Sequence, residues 1–171
     1  WEDEYGARLG VLRRDDPLGE VRWFDIDPCY IFHVANAYDE GDTIVLQAVR
    51  YAVLWRKDGG FGDTAVLWNW TVDLRTGAVT EHQLDDRAVE FPRIDDRLVG
   101  LPARYAVSVG DASLVRYDLR TGAAVEHRFG TPDAPGGPGE AVFVPSPSGA
   151  PDESNGWYMA YVYDPVDNTS E

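Results

Sequence analysis

Three residues of this chain have side chains suited to holding or orienting a metal ion. They are His33, Glu90 and Glu140, which lie 57 and 50 residues apart. Imidazole is a common metal ligand, and a metal-bound histidine usually donates its second ring N–H to a carboxylate or a carbonyl. The three side chains can act together only if the fold brings their positions to one place.

His33 lies in an apolar stretch that predicts the first strand of a hairpin. Residues 29–38 are mostly apolar, the acidic turn Asp39–Asp42 contains a glycine, and Thr43–Gln47 is largely apolar again. A strand, an Asp/Gly turn and a second strand form the pattern of a β-hairpin. The sequence therefore predicts that His33 is an imidazole inside an otherwise apolar strand. No segment shows a sustained 3.6-residue apolar period with caps, so no long helix is expected.

A repeated segment points to a β-propeller. Asp73–His82 recurs as Asp118–His127, 45 residues later, and both copies begin Asp-Leu-Arg-Thr-Gly-Ala. The aspartate caps such a turn, and the glycine takes the left-handed position that a bulged turn requires. A period of ~40–50 residues made of strands and turns is typical of propeller blades. We predict an all-β fold with several four-stranded antiparallel blades of an incomplete β-propeller. It forms a single partial domain over 1–171, with blades roughly at 20–85, 86–130 and 131–171.

The blades give the three distant residues a common location. The first strand of each propeller blade lines the axial channel, and His33, Glu90 and Glu140 each lie near the start of a predicted blade. On the residues alone an alternative stays open, in which the glutamates are charges at strand starts and His33 is a hydrogen-bonded core histidine. His82 and His127 follow the repeated turns at equivalent positions, which favours surface sites on outer strands for both.

Charge and cysteine content restrict the partners and the compartment. With 15 Lys+Arg and 30 Asp+Glu the formal net charge is −15, which repels phosphate backbones, so no nucleic-acid partner is expected. The single cysteine, Cys29, forms no internal disulfide and is expected to be a buried, inert thiol. With no signal peptide and no apolar run near ~20 residues, we expect a cytoplasmic location. The chain begins with tryptophan and not with methionine, and we expect it to be an internal piece of a longer protein.

Three segments resemble motifs of the carotenoid cleavage oxygenase family, in the order in which that family has them. Phe32–Gly41 resembles its Phe-His-x-x-Asn-(Ala/Thr)-(Tyr/Phe)-Glu-x-Gly segment, with Asp39 in place of the common glutamate. Glu90–Asp95 resembles its Glu-(Phe/Leu)-Pro-(Arg/Gln)-Ile-(Asp/Asn) segment. Gly139–Pro145 resembles its Glu-Pro-x-Phe-Val-Pro segment, with Ala141 in place of the usual proline. The family includes bacterial dioxygenases that cleave stilbenes and apocarotenoids.

The resemblance implies a metal centre and an activity. It implies a seven-bladed propeller with Fe(II) held by four histidines, of which His33 is one and the other three lie outside this chain. Glu90 would orient His33, and Glu140 would orient the last of the four histidines. The implied protein is a non-haem dioxygenase that uses O2 to cleave a conjugated C=C bond of a carotenoid, apocarotenoid or stilbene into two carbonyl products.

Further expectations follow from this resemblance. The partners would be a small apolar conjugated substrate and O2, and no obligate protein partner is expected. Whether the intact protein makes peripheral contact with a membrane is left open by the sequence. This chain alone is expected to be inactive and to associate through exposed edge strands. One alternative is a non-catalytic β-propeller binding scaffold, in which His33 and the glutamates are structural. A propeller hydrolase or lyase that uses acidic residues on the axis has little support, because the resemblance already gives Glu90 and Glu140 a role.

Overall fold

The computed structural model describes residue 2 and residues 4–56, 59–147 and 152–171. Within these residues the elements are β-strands, apart from one 3₁₀ turn at Asp96–Leu98. The first ten strands are β1 Ala7–Val11, β2 Arg22–Ile26, β3 Val34–Glu40, β4 Thr43–Arg50, β5 Leu54–Arg56, β6 Gly59–Gly62, β7 Val66–Asp73, β8 Val79–Gln83, β9 Glu90–Arg93 and β10 Tyr105–Gly110. The others are β11 Ser113–Asp118, β12 Ala123–Arg128, β13 Gly130–Thr131, β14 Ala134–Pro135, β15 Gly137–Pro138, β16 Val142–Pro145, β17 Gly156–Met159, β18 Val162–Asp164 and β19 Thr169–Ser170. The described part of the chain contains no helix with the length and apolar character needed to cross a membrane.

Two four-stranded antiparallel sheets form the centre of the structure and confirm the prediction of all-β, blade-like architecture. The first blade has the strand order β3-β4-β7-β8, and the second has the order β9-β10-β11-β12. Strand β7 shows why such segments become inner strands. It reads Val-Leu-Trp-Asn-Trp-Thr-Val-Asp and is dense in β-branched and aromatic residues. Leu67, Trp70 and Val72 are buried, and the other residues of the strand are partly buried.

The region after the second blade departs from a regular four-stranded sheet. It consists of the pairs β13-β14 and β16-β17 and the three-stranded sheet β15-β18-β19. Strands β14, β15 and β16 each end in a proline. Proline has no N–H to donate to a ladder, so these strands stay short. Before the first blade, β1 pairs with β2, and β5 pairs with β6 within the β4–β7 connection.

The repeated segments form the predicted hairpin turns. Asp73 Oδ1 accepts two backbone N–H groups of its turn at 2.8 and 2.9 Å, and Asp118 Oδ1 accepts the equivalent pair at 3.0 and 3.1 Å. Gly77 and Gly122 have φ of 79° and 74°, the left-handed conformation in which glycine has no Cβ to clash. The two copies therefore perform the same task, connecting the third and fourth strands of consecutive blades.

The residues predicted to be unreactive or peripheral lie away from the blade centres. His82 and His127 are exposed on β8 and β12, the outermost strands of the two blades. Cys29 is half-buried, where full burial was predicted. Burial raises the pKa of its thiol, and the nearby Arg50 opposes this rise. A raised pKa keeps the thiol protonated, which makes it a poor nucleophile.

An apolar core fixes the two blades against each other. Its buried members come from both blades, so it joins the sheets and is not internal to either one. They are Val49, Tyr51, Leu54, Ala65, Leu67, Val89, Val115 and Tyr117. This packing places β3 beside β9, the first strands of the two blades, and so brings together the two segments that carry His33 and Glu90.

Asn36 is a second connection between the blades. Its side chain, which is 3% exposed, donates Nδ2 to the carbonyl of Leu101 at 2.8 Å, and its Oδ1 accepts the N–H of Gly100 at 3.1 Å. Both partners belong to the loop that follows the 3₁₀ turn of the second blade. A buried amide that satisfies two backbone groups of a loop holds that loop in one conformation.

Replacing Asn36 with alanine is expected to destabilise the complete protein by about 2–3 kcal/mol, because it removes the two hydrogen bonds by which a buried amide holds the loop. The free energy of unfolding measured with urea checks this. Asn69→Ala is the matched control, since its amide donates to Thr71 on the same strand and joins no two elements. We expect the control to lose less than about 1 kcal/mol. Equal losses in the two variants would contradict the role of Asn36 as a connection.

Candidate metal site between the first two blades

His33 lies immediately before β3, so the prediction that it is inside a strand is wrong. Among residues 29–33 the ladder is reduced to an isolated bridge between Tyr30 and Tyr51 and one hydrogen bond, from the N–H of Val49 to the carbonyl of His33 at 3.2 Å. Ring contacts hold this segment instead: the Phe32 centroid lies 4.8 Å from that of Tyr30 and 5.5 Å from that of Trp55. Regular pairing begins at Val34, and the register then shifts before Asn36. The side chain of His33 is 44% exposed at this strand start.

Glu90 opens β9 and is followed by a bulge. Glu90 pairs with Val109 and Arg93 pairs with Val107, so four residues of β9 face three of β10. Phe91 takes the extra place with a φ of 52°, a conformation that costs a non-glycine residue free energy. Its N–H donates to Glu90 Oε2 at 2.8 Å, which fixes the carboxylate. Bulges of this kind occur next to active sites, where they redirect a side chain.

The structure brings His33 and Glu90 into direct contact. His33 Nδ1 lies 2.7 Å from Glu90 Oε2, although the two residues are 57 positions apart. A carboxylate only accepts hydrogen bonds, so Nδ1 carries the shared proton. In a neutral imidazole this leaves the lone pair of Nε2 available for a metal. The Glu90 side chain is 19% exposed against 44% for His33, so the carboxylate lies deeper than the imidazole that it orients.

Tyr51 adds a phenol behind this pair. It is 6% exposed and belongs to the core between the blades. Burial first, and then the neighbouring Glu90 carboxylate, raise the pKa of the Tyr51 phenol. The phenol therefore stays protonated at neutral pH and adds no negative charge beside Glu90.

A cleft of about 660 Å³ opens in front of His33, between the starts of the two blades. Aromatic rings form part of its wall. The Phe91 centroid lies 4.7 Å from that of His33, and the Phe32 centroid lies 6.3 Å from it. Phe32 and Phe91 are each 39% exposed. The lining of the cleft therefore combines apolar rings with the charged groups of Arg93, Asp96 and Glu140.

Glu140 reaches the same cleft from the third region of the chain, two residues before β16. Its Oε1 accepts a hydrogen bond from Arg93 Nη1 at 2.8 Å. The structure thus pairs His33 with Glu90 and places Glu140 at the cleft with a guanidinium as its partner. The metal roles predicted for the three residues stay predictions.

Sequence reasoning missed several residues that shape the site: Asn36, Phe91 and Arg93. Each belongs to a segment whose motif was recognised, and each stands within three positions of a predicted site residue. The signal that identifies them is the bulge in β9 and the loop held by Asn36. Neither can be inferred from residue types, because both depend on how two strands pair.

His33 has the surroundings expected of one ligand of a metal centre. His33 has its Nδ1 held by a carboxylate and its ring beside a cleft, the arrangement typical of a metal-binding histidine. The described residues contain no group of three or more His, Cys, Asp or Glu side chains that could hold a metal ion together. A site with three or more such ligands around a metal at His33 would need at least one of them from outside the described residues.

Sequence comparison connects the chain to enzymes. A carotenoid cleavage oxygenase of Mycobacterium tuberculosis is 41% identical over 94% of this chain and 35% of its own length. The apocarotenoid-15,15'-oxygenase of Synechocystis is 32% identical over 92% of this chain and 34% of its own length. A carotenoid 9,10(9',10')-cleavage dioxygenase of Crocus sativus is 33% identical over 96% of this chain and 35% of its own length. The chain spans about a third of the length of the curated relatives that it matches.

Structural comparison gives the same result. Cobalt-substituted Synechocystis apocarotenoid oxygenase superimposes with a TM-score of 0.86 and 28% identity, over 99% of this chain and 38% of the other. The present structure therefore matches part of this oxygenase, which is a seven-bladed β-propeller. The family model described as "Retinal pigment epithelial membrane protein" matches residues 1–171, the whole of the chain. The chain belongs to the family of carotenoid cleavage oxygenases.

Proposed function

We propose that this chain is part of a non-haem Fe(II) dioxygenase, which uses O2 to cleave a conjugated C=C bond of a carotenoid, apocarotenoid or stilbene into two carbonyl products. The observation that supports this best is the contact between His33 Nδ1 and Glu90 beside an aromatic-walled cleft. Membership of the carotenoid cleavage oxygenase family also supports the proposal, as does the crystal structure of a relative in its cobalt-substituted form.

The contribution of this chain to the reaction is to position groups and to exclude water. Glu90 accepts the Nδ1 proton of His33, and the N–H of Phe91 holds Glu90 in place. His33 would supply one imidazole ligand to the iron. The bound iron would supply the site where O2 and the substrate react. Phe32 and Phe91 would shield this site from water and contact the apolar substrate. No step requires a protein nucleophile.

One imidazole does not make a complete iron site. For this reason the activity is proposed for the complete protein, and the present chain alone is expected to be inactive. Carotenoid substrates are suggested by the names of the relatives, and the aromatic rings at the cleft are compatible with a conjugated molecule.

Cleavage assays test this function. The purified complete protein, loaded with Fe(II), would be incubated under ¹⁸O2 with a carotenoid, an apocarotenoid and a stilbene, and the products would be identified by mass spectrometry. We expect two labelled carbonyl fragments from at least one substrate, and loss of the products after removal of iron with a chelator. Intact substrates in every case would contradict the proposal and leave the non-catalytic propeller scaffold. Cleavage that is indifferent to the chelator would contradict the iron dependence.

A further inference from the structure

Arg93 and Glu90 face the same side of β9 because of the bulge between them. In a regular strand, residues three positions apart point to opposite faces of the sheet. Here Glu90 and Arg93 pair with Val109 and Val107, which are two positions apart and share one face. The extra residue in the bulge therefore turns the guanidinium of Arg93 toward the side where Glu90 meets His33.

The guanidinium of Arg93 joins two carboxylates at the cleft. Nη1 donates to Glu140 Oε1 at 2.8 Å, and Nη2 donates to Asp96 Oδ1 at 2.9 Å. Arg93, Asp96 and Glu140 all line the cleft that contains His33. The hydrogen bond that Arg93 donates to Glu140 is the first cause of the raised pKa of Arg93, so the guanidinium is charged throughout the physiological range.

Glu140 depends on this contact for its orientation. It lies in the connection before β16 and not in a strand, and its side chain is 48% exposed. Of the described residues, Arg93 is the one that donates a hydrogen bond to its carboxylate. Exposed ion pairs contribute little free energy of folding. The consequence of this pair is therefore geometric: it occupies Oε1 and leaves Oε2 to accept another donor.

We propose that Arg93 is a positioning residue, which holds the Glu140 carboxylate so that its second oxygen can orient an imidazole ligand in the complete protein. This inference rests on the proposed function, because it assumes a metal-binding histidine opposite Glu140. Arg93 then does for Glu140 what the N–H of Phe91 does for Glu90. Each carboxylate has one fixed donor from β9, although the two carboxylates lie on different parts of the chain.

A double-mutant cycle on the complete protein tests the inference. The dissociation constant for Fe(II) would be measured by competition with a chelator for wild type, Arg93→Gln, Glu140→Gln and the double variant. Removing a group that orients a ligand typically weakens metal binding by ~10–100-fold. We expect each single variant to raise the dissociation constant by at least about 10-fold. The double variant should have a dissociation constant no higher than that of the single variant that binds Fe(II) less tightly.

Two further variants separate positioning from folding. Arg128→Gln removes an ion pair with Glu126 on the outer strand β12, so it should leave iron affinity unchanged and give the same unfolding temperature as Arg93→Gln. Arg93→Lys keeps the charge but replaces the planar, bidentate guanidinium by a compact ammonium on a flexible chain, so we expect an intermediate rise in the dissociation constant. If Arg93→Gln does not fold, Arg93→Lys carries the comparison.

The outcomes distinguish the two proposals. Iron affinity unchanged in Arg93→Gln and Arg93→Lys, or effects of Arg93 and Glu140 that simply multiply, would overturn the role of Arg93 while leaving the iron site intact. A wild-type protein that binds no Fe(II) would overturn the proposed function and this inference with it.

Discussion

Replacing His33 with alanine in the complete protein is expected to remove bound iron and to lower the cleavage rate at least about a hundred-fold. The physical reason is that the His33 ring lines the cleft with its Nδ1 held by Glu90, which leaves Nε2 to bind the metal. Loss of a ligand should exceed the ~10–100-fold cost of losing a group that orients one. Iron content by metal analysis and kcat/KM for the best substrate would be measured on the same preparations.

The chain provides a matched control for this variant. His82 is an exposed histidine on the outer strand β8, at the far side of the first blade from β3. His82→Ala should keep full iron content and full activity. Iron retained at the wild-type level in His33→Ala would contradict the ligand role. Loss of iron in both variants would show that the effect is not specific to His33.

Changing Glu90 to glutamine is expected to weaken Fe(II) binding by about 10–100-fold while the protein remains folded. The amide keeps the shape of the side chain but loses its negative charge. The hydrogen bond from His33 Nδ1 becomes weaker, and the imidazole becomes both less well oriented and less basic. The dissociation constant for Fe(II), measured by chelator competition, and the unfolding temperature would be compared with those of wild type.

Glu126→Gln is the control, because it removes an exposed carboxylate of β12 that pairs with Arg128. It should change neither iron affinity nor cleavage. A Glu90→Gln variant with wild-type iron affinity would contradict the orienting role of the carboxylate. A variant that is merely unstable, with full iron content per folded molecule, would assign Glu90 to folding.

The repeating part of the fold could be predicted because its cause is local. Asp73 and Asp118 cap their turns through hydrogen bonds to backbone groups two and three residues ahead, and a glycine follows at the left-handed position. Such a turn needs only its own residues. The 45-residue period of these turns was therefore sufficient to indicate propeller blades.

The details of the site could not be predicted, because they depend on pairing between distant strands. The left-handed conformation of Phe91 is not encoded by a glycine, and the bulge that it forms becomes visible only from the register of β9 against β10. His33 was placed inside a strand because its neighbours are apolar. In the structure the aromatic rings of these neighbours pack against one another and against Trp55, and their backbone makes few ladder hydrogen bonds. The strand therefore starts after the histidine.

The contact between Arg93 and Glu140 shows another limit. The two residues are 47 positions apart, and the resemblance to the family already gave Glu140 a histidine as its partner. Nothing in the composition of either segment indicates that a guanidinium would bind the same carboxylate. Only the combination of the bulge in β9 and the position of residue 140 before β16 brings them together.

Anomalous diffraction at the iron absorption edge, from crystals of the complete protein loaded with Fe(II), tests the central claim most directly. The account predicts an anomalous peak at bonding distance from His33 Nε2, with Nδ1 of the same ring still hydrogen-bonded to Glu90. A peak located elsewhere, or no peak in front of His33 in an iron-containing crystal, would contradict the assignment of His33 and Glu90 as a metal ligand and its orienting carboxylate.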